Sequence, residues 1–193
     1  MGEITEIRLH GRGGQGVLFA ATVIAEAAFL EGKNVQAFGL FGAERRGAPV
    51  AAFVRAGNNS VMPRCRIARP DLVVVFDSAL SPDYVLNGLK KGGLLLVNSP
   101  AAPAAAAGYR TAAEHAIWSV DATGIAVRNN LWGAGIPVVN SAILGAVAKL
   151  GLYAFSTLHN VLQSKLPRSV AGNLAAAREG YLTVEESAKY AIT

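Results

Sequence analysis

The sequence predicts an α/β fold: a three-layer domain with a mainly parallel sheet, an antiparallel hairpin and a helical C-terminal region. Apolar strand-like segments alternate with helical segments over the first 120 residues, which is typical of βαβ units. Residues 72–76 form an almost continuous apolar, β-branched run, as expected for a strand covered on both faces of a parallel sheet. At 193 residues, we expect residues 1–193 to form a single domain.

The N-terminal third predicts a strand, a helix and a second strand. Residues 4–10 are apolar and strand-like, and residues 15–31 place small and apolar side chains at helical spacing. Gly32 is positioned to end that helix, and residues 34–38 are predicted as the next strand. A further strand at 50–55, followed by a glycine and asparagine turn, predicts an antiparallel hairpin with residues 61–67.

The rest of the chain continues the alternation and then becomes helical. Beyond 72–76, a short helix is predicted at 82–89 and strands at 93–98 and 117–120, with the alanine-rich 100–108 as a surface connection. Helical periodicity covers 139–150, 156–165 and 169–179.

A glycine-rich loop, His10-Gly-Arg-Gly-Gly-Gln-Gly16, follows the first strand. Glycine permits positive φ and close approach of a ligand, and the helix after it presents free N–H groups with a partial positive charge. The loop therefore predicts a phosphate or anion site, although a tight turn that needs glycine only for packing is the alternative. The candidate cofactor-binding residues are Gly11, Arg12, Gly13, Gly14, Gln15 and Gly16. Three of these glycines also satisfy the dinucleotide fingerprint G-x-G-x-x-G.

Composition narrows the classes of partner. The net charge is +5, but the arginines are not interleaved with stacking aromatics, so we expect an anionic ligand or an acidic partner surface and no nucleic acid. Only 16% of residues are charged and 52% are hydrophobic, which indicates a permanent protein partner. No apolar run approaches the roughly 20 residues of a membrane span, and no leader opens the sequence, so we expect a cytoplasmic location.

Few side chains are candidates for chemistry. The lone Cys65 cannot form an internal disulfide or hold a four-cysteine cluster, so we expect no metal ligand and no catalytic residue in this chain. His10 is interpreted as a hydrogen-bonded strand residue. Asp77, Asn98 and Asp121 lie at the ends of predicted strands, where we expect them to cap the next turn, with contact to a ligand as the alternative.

Three segments taken together, residues 10–16, 37–49 and 70–75, closely resemble the gamma subunit of the 2-oxoacid:ferredoxin oxidoreductases, the pyruvate:ferredoxin oxidoreductase type. Later segments at 120–123 and 137–146 also resemble it, so the resemblance runs from about residue 4 to 180. The beta subunit of indolepyruvate oxidoreductase shares the Gly-Gly-Gln-Gly loop, but the Glu-Arg-Arg-Gly segment here favours the gamma type.

The resemblance implies oxidative decarboxylation of a 2-oxoacid with coenzyme A, which yields an acyl-CoA, carbon dioxide and reduced ferredoxin or a comparable acceptor. It implies alpha, beta and delta partner subunits, with thiamine diphosphate on alpha and beta and [4Fe-4S] clusters on beta and delta. This chain is then expected to help position coenzyme A. The 2-oxoacid stays open among pyruvate, branched-chain, aromatic, 2-oxoglutarate and phenylglyoxylate types, and the sequence does not identify the physiological acceptor.

Arg45 and Arg46 are the candidates for the 3′-phosphate of coenzyme A, because guanidinium forks suit phosphate. Salt bridges to Glu44 or to a partner subunit are an equal alternative for both arginines.

Two other functions stay open. An independent NAD- or NADP-binding oxidoreductase would use the same fingerprint, but the second predicted strand lacks the ribose-binding acid about 20 residues after the glycines. A purely structural subunit would use the loop to pack against a partner.

If Arg45 and Arg46 bind coenzyme A, replacing both with alanine should raise its KM while 2-oxoacid-dependent dye reduction without coenzyme A stays nearly intact. Steady-state kinetics of the purified complex measures both quantities. An unchanged KM in an intact complex would rule out the role.

Overall fold

The computed structural model describes residues 4–40, 47–58, 65–100, 109, 115–166 and 170–186. Within these residues the strands are β1 (Ile4–Arg12), β2 (Asn34–Leu40), β3 (Pro49–Gly57), β4 (Leu72–Val75), β5 (Leu94–Asn98), β6 (Ala116–Val120), β7 (Trp132–Gly133), β8 (Ile136–Pro137) and β9 (Glu185–Glu186). The helices are α1 (Val17–Leu30), α2 (Pro82–Leu86), α3 (Ala122–Arg128), α4 (Asn140–Lys149), α5 (Phe155–Lys165) and α6 (Val170–Thr183).

The main sheet has seven strands in the order β2-β3-β1-β4-β5-β6-β9. The central strands β1, β4, β5 and β6 run parallel to one another, whereas β2, β3 and β9 are antiparallel to their neighbours. This mixed sheet, together with α4, α5 and α6 at the end of the chain, confirms the predicted α/β class and the helical C-terminal region.

The antiparallel part of the sheet is built differently from the predicted hairpin. Strand β3 pairs with β1 on one side and β2 on the other, so the hairpin is formed by β2 and β3. Residues 65–67, the end of the expected partner strand, are not in a strand, and residues 61–64 lie outside the described residues. The residues of β3 from Ala51 to Gly57 are buried, as expected for a strand inside the sheet with a partner on each side.

Several element ends also differ from the predictions. Helix α1 begins at Val17 because Gly16, with φ 77°, occupies its N-cap in the left-handed region. Helix α2 ends at Leu86, before Gly88 at φ 79°, and is three residues shorter than predicted. Helix α3, the small β7–β8 hairpin and β9 were not predicted, and the expected connection at 101–108 lies outside the described residues.

The sheet is covered by apolar side chains on both faces, as its alternating residues show. Leu72 and Val74 of β4 belong to a large core that contains α1, α4, α5 and α6. Val73 and Val75 belong to a smaller core on the opposite face, to which α2 contributes Val85. The two faces together give the predicted three layers, although the second is thin because α2 has only five residues.

Helices α4 and α6 meet at two glycines that let their backbones touch. A Cβ at Gly145 would overlap the carbonyl group of Ala177, and a Cβ at Gly180 would overlap that of Ala142. The contact is reciprocal, because each glycine of one helix faces an alanine of the other. Close backbone approach of this kind leaves no room for a methyl group.

We therefore expect Gly145→Ala to lower the free energy of unfolding by about 2 kcal/mol, since overpacking outweighs the gain in helix propensity. Thermal and urea unfolding of the purified chain would measure the change. Gly172→Ala on α6 is the control, because its Cβ would lie 3.2 Å from the carbonyl oxygen of Asn129, where a small shift suffices. Equal stability of the two variants would contradict the close contact.

Candidate functional site

A cleft of about 660 Å³ lies at the carboxyl ends of the central parallel strands. It lies where the connections after two neighbouring strands go to opposite faces of the sheet. Strand β1 leads into α1 on the face of the large core, and β4 leads to α2 on the other face. Ligands of open α/β sheets bind at such a switch point. The described lining residues are Arg12, Gly13, Gln15, Gly47, Phe76, Asp77, Ser78, Asn98, Pro100, Asp121, Thr123, Gly124, Ile136, Pro137 and Val139.

The loop glycines serve packing as well as shape. A Cβ at Gly11 would lie 2.6 Å from Cγ2 of Val17 and 2.9 Å from Cβ of Phe76. Gly14 and Gly16 have φ of 98° and 77°, which other L-residues rarely adopt. Gly11 therefore supports the packing interpretation, whereas Gly14 and Gly16 give the loop its path into α1.

This path leaves backbone donors available. The N–H of Gly13 donates to the carbonyl oxygen of Ala48 at 3.0 Å, and that of Gln15 to Arg12 at 3.1 Å. The N–H groups of Gly14, Gly16 and Val17 find no acceptor among the described residues. Helix α1 also has no acidic side chain in its first turn. The loop thus presents free donors and the positive end of a 14-residue helix, which suits an anion.

The side chain of Gln15 supports the loop from within. Its Oε1 accepts the backbone N–H of Arg12 at 2.7 Å. The side chain therefore fixes the loop backbone, and its amide NH2 group is left as a donor beside the cleft.

Arg12 lies across the cleft from β4 and is ion-paired there. Its Nε donates to Oδ2 of Asp77 at 2.6 Å, and its Nη1 donates to the carbonyl oxygen of Gly47 at 3.1 Å. The expected charge partner of a ligand is thus already paired with a carboxylate. Asp77 also accepts the N–H of Ala79 at 2.9 Å, which confirms its predicted capping role.

Asn98 connects three elements at the rim of the cleft. Its buried Nδ2 donates to the carbonyl oxygen of Phe76 at 2.8 Å and to Oγ1 of Thr123 at 3.0 Å, and its Oδ1 accepts the N–H of Thr123 at 3.2 Å.

Asp121 accepts the N–H of Gly124 at 2.8 Å and so caps α3, as predicted. Thr123 was missed in the sequence, although an aspartate at a strand end is a helix-start signal that could have found it.

The described wall of the cleft is not positively charged. Its lining includes one guanidinium, that of Arg12, and two carboxylates, those of Asp77 and Asp121. Arg45 and Arg46 lie outside the described residues, so their proximity to the cleft stays a prediction.

His10, in β1 just before the glycine loop, is buried. Its ring is 3% exposed and packs edge-on against Tyr84 at 5.0 Å, and neither ring nitrogen has a hydrogen-bond partner among the described residues. The expected hydrogen-bonded histidine is therefore wrong. The neighbouring Arg8 on the same face of β1 donates to the carbonyl oxygens of Val85 and Asn87 and offers the ring no acceptor. Burial, with a smaller contribution from Arg8, lowers the pKa of His10 to about 4.

Metal-binding clusters and membrane-spanning helices are both absent from the described residues. The described part of the chain contains no group of three or more His, Cys, Asp or Glu side chains placed to hold a metal ion. It also contains no helix with the length and hydropathy needed to cross a membrane.

Comparison with known proteins identifies the family. Residues 6–183 match the pyruvate ferredoxin/flavodoxin oxidoreductase family. The chain belongs to this family. It is 42% identical to pyruvate synthase subunit PorC of Methanothermobacter marburgensis, over 94% of this chain and 98% of that protein. It is 43% identical to the pyruvate/ketoisovalerate oxidoreductases common subunit gamma of Pyrococcus furiosus, over 93% and 97%.

A solved structure of the family has the same fold. Pyruvate oxidoreductase subunit PORC from Thermotoga maritima superposes with a TM-score of 0.82 at 34% identity, covering 96% of this chain and 99% of that one. The chain is thus a gamma-type subunit of a multisubunit 2-oxoacid oxidoreductase, which confirms the resemblance stated from its motifs.

Sheet order argues against NAD binding by this gamma-type subunit. In a dinucleotide-binding fold the ribose acid ends the second strand of the chain, and that strand lies directly beside the first. Here β3 lies between β1 and β2, so β2 is two strand spacings, about 10 Å, from the glycine loop. A side chain at the end of β2 is therefore poorly placed to reach a ribose at the loop.

The buried His10 predicts acid sensitivity. Its pKa of about 4 in the folded state is below the ordinary 6.5, so the unfolded chain binds the proton first and stability falls as pH drops through that interval. We expect the loss from this residue to reach about 3 kcal/mol near pH 4. Urea unfolding of the chain from pH 7 to 4 should show a steeper decline than in His10→Leu; parallel profiles would contradict it.

Proposed function

We propose that this gamma-type subunit binds coenzyme A in the cleft while the assembled complex oxidatively decarboxylates a 2-oxoacid. The pyrophosphate would be held by the free N–H groups of the glycine loop, and the uncharged part of coenzyme A would lie along the apolar wall formed by Phe76, Ile136, Pro137 and Val139. The reaction would yield an acyl-CoA, carbon dioxide and a reduced acceptor.

The observation that carries the proposal is that the free donors lie on the same loop as Gly13 and Gln15, which line the cleft. Gly14, Gly16 and Val17 offer N–H groups at the start of α1, beside the switch point between β1 and β4. The volume of about 660 Å³ lies within the usual range for small-molecule sites. Arg45 and Arg46, which follow β2 in the chain, are proposed to meet the 3′-phosphate.

We further propose the division of labour within the complex. Thiamine diphosphate and the [4Fe-4S] clusters would lie on alpha, beta and delta partner subunits, since this chain has one cysteine. Ferredoxin or a comparable acceptor would receive the electrons through those partners, and the complex would be cytoplasmic. Residues 1–193 are proposed to form one gamma-type domain.

The choice of 2-oxoacid is proposed to lie on another subunit. The relative from Pyrococcus furiosus is named as a gamma subunit common to pyruvate and ketoisovalerate oxidoreductases. A subunit shared between two substrates does not select between them, and the same arrangement is proposed here.

A structural role in assembly is the second candidate. It is favoured by the composition, because only 16% of the residues are charged and 52% are hydrophobic, as in a chain with a permanent protein partner. In that case the loop would shape a subunit interface, and substitutions would change assembly rather than coenzyme A affinity.

Gly14→Ala tests the proposal. The added methyl would lie 3.2 Å from Cδ1 of Ile136 and would disfavour the φ of 98° that the loop requires. We expect the KM for coenzyme A to rise about tenfold, which corresponds to about 1.4 kcal/mol. Dye reduction by the 2-oxoacid without coenzyme A should persist.

Gly151→Ala is the matched control, because its φ of 84° carries the same backbone penalty in open space at the end of α4. It should lower the melting temperature while the KM stays unchanged. If Gly14→Ala releases subunits from the complex and coenzyme A still binds normally, the assembly role is correct and the binding role is not.

A further inference from the structure

We propose that Asp77 is a positioning residue that lowers the affinity of the cleft for anionic ligands. It does so by orienting the guanidinium of Arg12 and offsetting part of its positive charge. The inference rests on the proposed function in that the ligand is taken to be anionic. It adds that the acid–base pair across the cleft, rather than the glycine loop alone, determines how tightly such a ligand is held.

The geometry fixes the guanidinium of Arg12 but leaves part of it available. Asp77 takes its Nε–H and the carbonyl oxygen of Gly47 takes one Nη1–H. The other N–H groups, including both on Nη2, have no acceptor among the described residues. Arg12 is therefore oriented by two contacts and still has donors to offer to the cleft, which it lines.

The charge of Arg12 is partly offset despite those free donors. The Asp77 carboxylate lies 2.6 Å from Nε; the side chain of Asp77 is 20% exposed and that of Arg12 is 36% exposed, so water screens the pair only in part. A phosphate on the free side of the guanidinium would be attracted by Arg12 and repelled by Asp77 at a slightly greater distance. In the wild-type chain, the loop N–H groups then supply the attraction that Asp77 does not affect, and Asp77 limits what Arg12 adds to it.

A second carboxylate in the same cleft provides a matched comparison. Asp121 is 33% exposed, caps α3 and lies 3.7 Å from Nη1 of Arg128. It carries the same charge as Asp77 but is not among the contacts of Arg12. Substituting Asp121 therefore measures the effect of removing any negative charge from the cleft, whereas substituting Asp77 also measures the effect of its ion pair with Arg12.

Asp77→Asn is the test, because it removes the negative charge with little change of shape. Its one amide oxygen can accept from Nε of Arg12 or from the N–H of Ala79, but not from both. In the complex purified with its partner subunits, we expect the KM for coenzyme A to fall roughly threefold to tenfold. Asp121→Asn should lower it less than about twofold. In an Arg12→Ala background, Asp77→Asn should have no greater effect than Asp121→Asn.

Two further readouts separate this role from a structural one. The change should fall on KM rather than on kcat, and the KM of Asp77→Asn should depend more steeply on salt, because a released cation is screened by ions. Calorimetric titration with coenzyme A would report the same order of affinities. A higher KM in Asp77→Asn, or equal effects of Asp77→Asn and Asp121→Asn, would overturn the inference.

A different result would contradict the proposed function rather than the role of Asp77. If coenzyme A does not bind the wild-type complex in the calorimeter, coenzyme A is not the ligand of this cleft. The restraint is then tested with inorganic pyrophosphate as the probe. Tighter pyrophosphate binding by Asp77→Asn than by wild type and Asp121→Asn supports the role of Asp77, and its absence refutes it.

Discussion

The parallel pairing of β1 with β4 is the constraint on which the site depends. The register aligns Ile7 with Leu72 and His10 with Val75, so both strands end at the same edge of the sheet. Arg12 and Asp77, which are 65 residues apart in sequence, therefore meet two residues beyond the last aligned pair. Because the two strands continue to helices on opposite faces, the space between their ends stays open.

Local sequence signals predicted the parts of the fold that depend on local physics. The β-branched run of β4 and the small-residue periodicity of α1 are such cases, because burial on both faces and helical packing both leave a periodic pattern. The position of β3 was not predictable in this way, since its partners β1 and β2 are selected by long-range pairing. Helix α3 was missed because Thr123 and Gly124 are weak helix formers, and the contacts of Asn98 and Asp121 specify it.

The glycine loop was predicted from the sequence and lies at a cleft, but the charge distribution of that cleft was not predicted. Four glycines between a strand and a helix predict a cradle wherever they occur, since the backbone conformation they permit is a local property. The sequence does not distinguish Gly11, which packing requires, from Gly14, which lies exposed on the loop. The pairing of Arg12 with Asp77 depends on two strands meeting in space, and no local pattern records it.

A binding loop that uses backbone N–H groups and little net charge favours rapid release of the product. An enzyme that takes up coenzyme A and releases an acyl-CoA must bind and discharge nearly the same polyanion in every cycle. Strong ionic attraction would hold both equally, which lowers KM without raising kcat. Directed N–H groups recognise a phosphate by its position, and their attraction declines quickly with distance. If this cleft holds coenzyme A as proposed, the ion-paired Arg12 and the free donors of Gly14, Gly16 and Val17 serve one requirement: recognition by shape, with binding weak enough for exchange.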